Sequence, residues 1–106
     1  MKNDFPEIRD FLGSYFHQDW LEEHDTADKV IDDFLSSSDQ EVLILFRSEL
    51  QALLNLKIDE MNLRTFLFKE MHCYYCYWNE WTSGEIWLRH IETKLNYSLA
   101  DPHLRP

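Results

Sequence analysis

The chain has 106 residues, 44% of them hydrophobic and 15% aromatic, which is length for one domain rather than two and enough apolar matter to exclude a disordered polypeptide. Two glycines and three prolines are too few for a turn-rich, many-stranded β fold and favour helices. Twenty acidic residues against ten basic ones, a net charge of −10, exclude nucleic acid and anionic membrane as partners and favour a basic one.

The opening decapeptide MKNDFPEIRD is charged within four residues and lacks the apolar core of a signal peptide. No later stretch reaches membrane-spanning length. A soluble, cytoplasmic protein is expected, with Cys73 and Cys76 as reduced thiols rather than a structural disulfide. A first helix starts at Pro6, where the missing N–H costs nothing, and carries Ile8, Phe11, Leu12, Tyr15 and Phe16 at helical spacing. Gly13 weakens it somewhat. The corner "YFHQDW" at 15–20 turns Tyr15, Phe16 and Trp20 inward, with His17 and Asp19 bonding backbone groups.

A second helix has Asp25 as N-cap, Asp28 complementing the helix dipole, and an apolar face of Ala27, Val30, Ile31, Phe34 and Leu35. Ser36, Ser37 and Ser38 end it. Ser38 with Glu41 forms a capping box for a third helix, in which "VLILF" at 42–46 reads as mostly buried. A fourth helix covers Asp59 to Met71, with Leu63, Phe66, Leu67 and Met71 on one face. The aromatic segment "HCYYCYWNEW" follows, as irregular chain or as a two-stranded hairpin. Thr82 and Glu85 form a capping box for a last helix presenting Trp87, Leu88, Ile91 and Leu95. The expected architecture is all-α, a single compact domain of about five short helices over residues 1–106, with 97–106 as a loose tail.

The negative charge is concentrated. Residues 19–41 carry Asp19, Glu22, Glu23, Asp25, Asp28, Asp32, Asp33, Asp39 and Glu41 against Lys29 alone, a net of −8, whereas the segments before and after it carry −1 each. Solubility alone is served by evenly spread charge, so the skew points to a partner-facing patch. Tyr74, Tyr75, Tyr77, Trp78 and Trp81 crowd into eight positions and cannot all face inward. On one reading about half of them are buried as core; on the other, one or two stay exposed as contact anchors.

Catalysis has little support. His17 and Asp19 make an acid–base pair conceivable, but no glycine-rich nucleophile turn accompanies them. Cys73 and Cys76 form a lone CxxC, and zinc wants four ligands. A small zinc-binding protein using Cys73, Cys76 and His17 is the weaker alternative to two thiols in an aromatic wall. No phosphate-cradling loop, Walker motif or EF-hand loop is present, and the basic residues are too scattered for nucleic acid. No enzyme activity, cofactor or resident metal is expected.

The segment "FPEIRDFLGSYFHQDW" (5–20), followed by an acidic helix ending in "DDFL" (32–35), resembles the small immunity proteins of bacterial contact-dependent growth inhibition systems. "HCYYCYWNEWTSGEIWLRHI" (72–91) resembles that family's second landmark, with Cys76 and Tyr77 standing where its Asp-Pro type turn is expected. The resemblance implies an all-helical protein that binds and neutralises the C-terminal toxin domain of a large secreted effector. Such toxins are often nucleases, and an RNase is favoured here. Neither motif is a catalytic signature, so no active-site residue carries over.

Charge adds to this a patch able to enter or cap a basic nuclease cleft, with association raised about 10–1,000-fold by complementary fields. The expected contact residues are Asp19, Trp20, Glu22, Glu23, Asp25, Asp28, Asp32, Asp33, Asp39, Tyr75 and Trp78, with Trp20, Tyr75 and Trp78 as anchors. The partner is a cognate toxin domain bound 1:1 in the bacterial cytoplasm. An acidic helical adaptor for another basic protein is the alternative.

Overall fold

The computed structural model describes residues 5–100. In chain order it has α1 (Pro6–Tyr15), α2 (Trp20–Glu23), α3 (Ala27–Ser37), α4 (Gln40–Asn55), α5 (Glu60–Thr65) and α6 (Gly84–Ala100). A π turn, Phe66–Glu70, prolongs α5, and a 3₁₀ turn spans Tyr77–Asn79. No strand occurs among the described residues. The fold is all-α, as expected, with α2 as one additional short turn. α6, which includes residues 97–100 of the expected tail, is helical through Ala100. Residues 101–106 lie outside the described range.

Each helix boundary has an identifiable cause, and three differ from expectation. Thr26, not Asp25, caps α3, its Oγ1 accepting the Lys29 N–H at 3.2 Å. Ser38 closes α3 by donating its N–H to the Phe34 carbonyl (3.1 Å), and α4 starts from Asp39 without a side-chain cap bond. α4 starts at Gln40, so its cap position falls on Asp39, one residue after Ser38. At α6 the cap is Ser83, whose Oγ accepts the Ile86 N–H at 3.2 Å, rather than Thr82. α1 has no local cap at Phe5. Its free N–H groups are met from α4, where the Glu49 carboxylate accepts from Glu7 (3.0 Å) and Ile8 (3.1 Å).

α4 packs against α1 and α6 through Leu43, Phe46, Leu50 and Leu53. Ile44 and Leu45 face outward, so "VLILF" is an amphipathic turn rather than a mostly buried one. The core is strongly aromatic. Phe11 meets Phe34 (4.3 Å between centroids) and Phe46 (5.4 Å), and Phe16 meets Tyr75 (5.4 Å) and Trp87 (5.6 Å). Each fully buried side chain of this size contributes about 1.5–3 kcal/mol.

The aromatic segment is extended chain without a β partner up to the 3₁₀ turn at Tyr77–Asn79, not a hairpin. It leaves the π turn through His72, in left-handed backbone (φ 60°), while the Cys73 N–H closes on the Leu67 carbonyl at 3.0 Å, one residue wider than the 6→1 bond of a Schellman helix end. Met71, Cys73, Tyr75 and Tyr77 are then buried, and His72, Tyr74, Cys76 and Trp78 exposed. The period of two is that of any extended chain on a core. Tyr77 stacks on Trp87 (5.8 Å, 8° between planes).

Glu60 ties three elements together. Its carboxylate accepts the Tyr77 hydroxyl (2.7 Å) and the Gly84 N–H (2.8 Å), with Arg64 at 3.6 Å. Gly84 allows this approach: a Cβ there would stand 2.9 Å from Leu63 Cδ2 and 3.0 Å from Tyr77 Oη.

Gly84→Ala is expected to destabilise the fold by about 1–3 kcal/mol through overpacking, read as a lower denaturant midpoint at unchanged m-value. Burial holds Glu49 above its ordinary value of 4.5, outweighing the two backbone donors that favour its charged form. The folded state therefore binds this proton more tightly than the unfolded chain. Its contribution to stability is fully present below 4.5 and declines as pH rises through the higher folded value. Glu49→Gln lacks that titration, so the stability difference between wild type and variant should shift in favour of the variant as pH rises through this acidic window. A pH-independent difference in urea midpoints would contradict it.

Candidate partner-binding face

Every carboxylate-bearing residue expected at the interface is exposed: Asp19, Glu22, Glu23, Asp25, Asp28, Asp32, Asp33 and Asp39, together with Glu41. α2 carries two of them, and α3, an 11-residue helix about 16 Å long, presents three more along its outer side. The sequence folds this way because Ala27, Val30, Ile31, Phe34 and Leu35 take the inner side of α3, leaving the intervening aspartates to water.

Five of these carboxylates meet basic groups of the chain itself. Asp25 lies 3.4 Å from Lys29 Nζ and Asp32 2.9 Å from Lys94 Nζ. Three others meet imidazoles: Glu23 with His17 (3.3 Å), Asp33 with His24 (3.1 Å) and Asp28 with His90 (2.9 Å). The Lys94 and His90 contacts join α3 to α6, so part of the charge holds helices in register. Asp19, Glu22, Asp39 and Glu41 make no such side-chain contact among the described residues, and α6 brings Lys94 to a patch that reads in sequence as opposed only by Lys29. The patch is therefore partly offset rather than bare.

The aromatic anchors are corrected more sharply. Trp20 is 8% exposed and Tyr75 5% exposed, and their rings meet edge to face at 5.5 Å inside the core. A ring used to hold α2 and the extended segment together cannot also be inserted into a partner. The Tyr75 hydroxyl bonds Glu80; burial pushes that phenol well above its usual range, and the neighbouring carboxylate adds to the shift. Trp78 alone of the three keeps substantial exposure, at 38%.

The corner at 15–20 is structural. His17 Nδ1 accepts the Asp19 N–H at 3.1 Å and the Trp20 N–H reaches the His17 carbonyl at 3.1 Å. Cys73 is buried, Cys76 exposed and both are free. Burial pushes the Cys73 thiol up to about 12, so it remains protonated at neutral pH. Cys73, Cys76 and His17 do not converge, and among the described residues no three or more metal-ligating side chains do.

The sequence reading missed one feature of this face. A recess of about 390 Å³ opens between the π turn and the 3₁₀ turn, walled by Phe68, Tyr74 and Trp78 and flanked by Arg64 and Lys69. Its neighbour of about 410 Å³ lies beside Leu21 and Asp25, and Tyr74, Tyr75 and Cys76 line both. The alternation of the extended segment would have pointed Tyr74 outward. The π turn that displaces Phe68 and Lys69 has no sequence signal of its own.

Comparison with known proteins accords with this architecture. The CdiI immunity protein family matches residues 4–95. A chain in the crystal structure of the CdiA-CT/CdiI complex from Y. kristensenii 33638 superposes with a TM-score of 0.83 at 30% sequence identity, covering 87% of this chain and 98% of that one. Comparison with curated proteins gives no significant match. A family match across nearly the whole chain, on an all-helical fold that a solved relative shares, leads to one conclusion: the chain belongs to the CdiI immunity protein family.

Proposed function

We propose that this protein is the stoichiometric inhibitor of a cognate CdiA-CT toxin domain, that it acts in the cytoplasm without chemistry of its own, and that the toxin is a nuclease, with an RNase favoured. The observation that carries the reading is the family match together with the solved relative, which comes from a toxin–immunity complex. The surface feature that supports it is electrostatic.

The acidic face is the proposed approach surface. A nuclease grips phosphates and so carries a basic cleft. Carboxylates along α2 and α3 present charge of the sign that such a cleft binds. Complementary fields mainly raise the association rate and give the complex its salt dependence. Holding the complex requires a desolvated contact of roughly 800 Å² per partner. Asp19 and Glu22 are the carboxylates best suited to this role, because neither is engaged in an ion pair among the described residues and their chain neighbours Trp20 and Leu21 line the recess that shares the Tyr74–Cys76 wall.

The decisive experiment uses the cognate CdiA-CT domain. Purified toxin should degrade RNA, and an equimolar amount of this protein should stop the degradation and co-elute with it 1:1. Asp19→Lys with Glu22→Lys should leave folding intact, slow association about tenfold or more at low salt and flatten the dependence of affinity on NaCl. An unchanged association rate and salt slope would remove the acidic face from the interface.

A further inference from the structure

We infer that the recess between the π turn and the 3₁₀ turn is a second, separately specific half of the toxin interface, seating an apolar side chain of the toxin that has a carboxylate beside it. The inference rests on the proposed toxin-binding function and deepens it by naming a surface and the chemistry it recognises.

Shape and composition point to such a seat. Phe68, Tyr74 and Trp78 are 46%, 44% and 38% exposed, although the chain buries most of its other aromatic rings. They surround one opening of about 390 Å³, a size suited to one or two side chains. The rims are held in place: Phe68 meets Tyr74 edge to face at 5.4 Å, Trp78 meets Tyr77 at 5.1 Å, and the Tyr74 N–H is bonded to the Phe16 carbonyl at 2.8 Å. Rims already fixed lose little entropy on binding, which is what an anchor pocket requires.

Charge identifies the occupant further. On a chain of net charge −10, this recess has no acidic residue in its lining and two cations at its edge. The Arg64 guanidinium lies over the Trp78 ring, 4.3 Å from its centroid, and already shares Glu60. Lys69 is exposed and forms no ion pair among the described residues. An apolar group entering between the aromatic rims would bring a neighbouring carboxylate within reach of these cations. A uniformly basic partner would be repelled there.

Position completes the argument. Tyr74, Tyr75 and Cys76 form a wall shared with the recess beside Leu21 and Asp25, at the end of the acidic face. A toxin steered onto α2 would therefore extend across the shared wall into the aromatic opening. Electrostatic steering comes from one side and the anchor from the other, which divides association rate from residence time.

The test is calorimetric titration of the cognate CdiA-CT domain into wild-type protein, Trp78→Ser, Phe68→Ser with Tyr74→Ser, and Lys69→Glu, with circular dichroism on each variant. The expected result is a loss of affinity of about tenfold or more for the aromatic variants. Lys69→Glu is the sharper probe, because its side chain is exposed and its loss leaves the core untouched. The inference expects weaker binding from Lys69→Glu. A partner recognised by acidic charge alone would instead bind this more acidic variant as well as wild type or better, and that result would overturn the inference while leaving the proposed function standing. Aromatic variants that fold and bind like wild type would overturn it too. No complex with wild-type protein would overturn the proposed function, and the inference with it.

Discussion

The packing of Tyr75 and Tyr77 against Trp87 is the contact on which the rest of this structure depends. The two tyrosines come from chain with no sheet partner, and Trp87 from the first turns of α6, with centroid separations of 5.0 and 5.8 Å. An extended segment without a ladder has little hydrogen bonding to hold it. Burial of alternate side chains must do so, at about 1.5–3 kcal/mol for each fully buried ring or aliphatic chain. The few backbone bonds it makes, Cys73 to Leu67 and Tyr74 to Phe16, then tie it to the π turn and to the end of α1. Once Met71, Cys73, Tyr75 and Tyr77 are committed inward, the positions between them have only the surface left. The aromatic face is thus a by-product of how the core is closed.

Glu60 and Glu49 show a related economy. Both are carboxylates on one helix that satisfy backbone N–H groups at the start of another, Glu60 at Gly84 and Glu49 at Glu7 and Ile8. Helix starts carry free donors and the positive end of the dipole, so an acid supplied from elsewhere can replace a local cap. In a chain so rich in acid this is chemically cheap, and it explains why α1 begins at Pro6 with only Phe5 in the cap position. The same acid excess elsewhere costs stability through self-repulsion. The structure offsets part of it by bringing Lys94 of α6 to Asp32 of α3.

On the proposed reading, the face that results would divide the labour of binding in a physically sensible way. Long-range attraction needs many charges and little geometry, which suits mobile carboxylates on exposed helices. Lasting contact needs desolvation and fixed shape, which suits aromatic rims held by backbone bonds. On that reading, placing the two side by side, with Tyr74, Tyr75 and Cys76 between them, would let one protein of 106 residues serve both ends.

Much of this was legible in the residues. The helical spacing of Ile8, Phe11 and Leu12, of Val30, Ile31 and Phe34, and of Trp87, Leu88 and Ile91 determined which faces turn inward, because apolar periodicity is a local property that burial rewards wherever the helix packs. The concentration of acid in residues 19–41 and the structural character of the corner at 15–20 were readable for the same reason. The sequence could not decide between partners that share a chemistry. Asp25 and Thr26 are both good caps, as are Thr82 and Ser83, and only the path of the chain selects one. Trp20, Tyr75 and Trp78 are alike as anchor candidates, and only the packing of α6 against the extended segment consigns the first two to the core and leaves the third outside. Lys94 is sixty-two positions from Asp32; their contact, and with it the true charge of the face, exists only once α3 lies against α6. Local pattern therefore determined the helices and their inner faces, and long-range packing decided which polar and aromatic groups remain free, because freedom at a surface is what is left after the core and the ion pairs have been made.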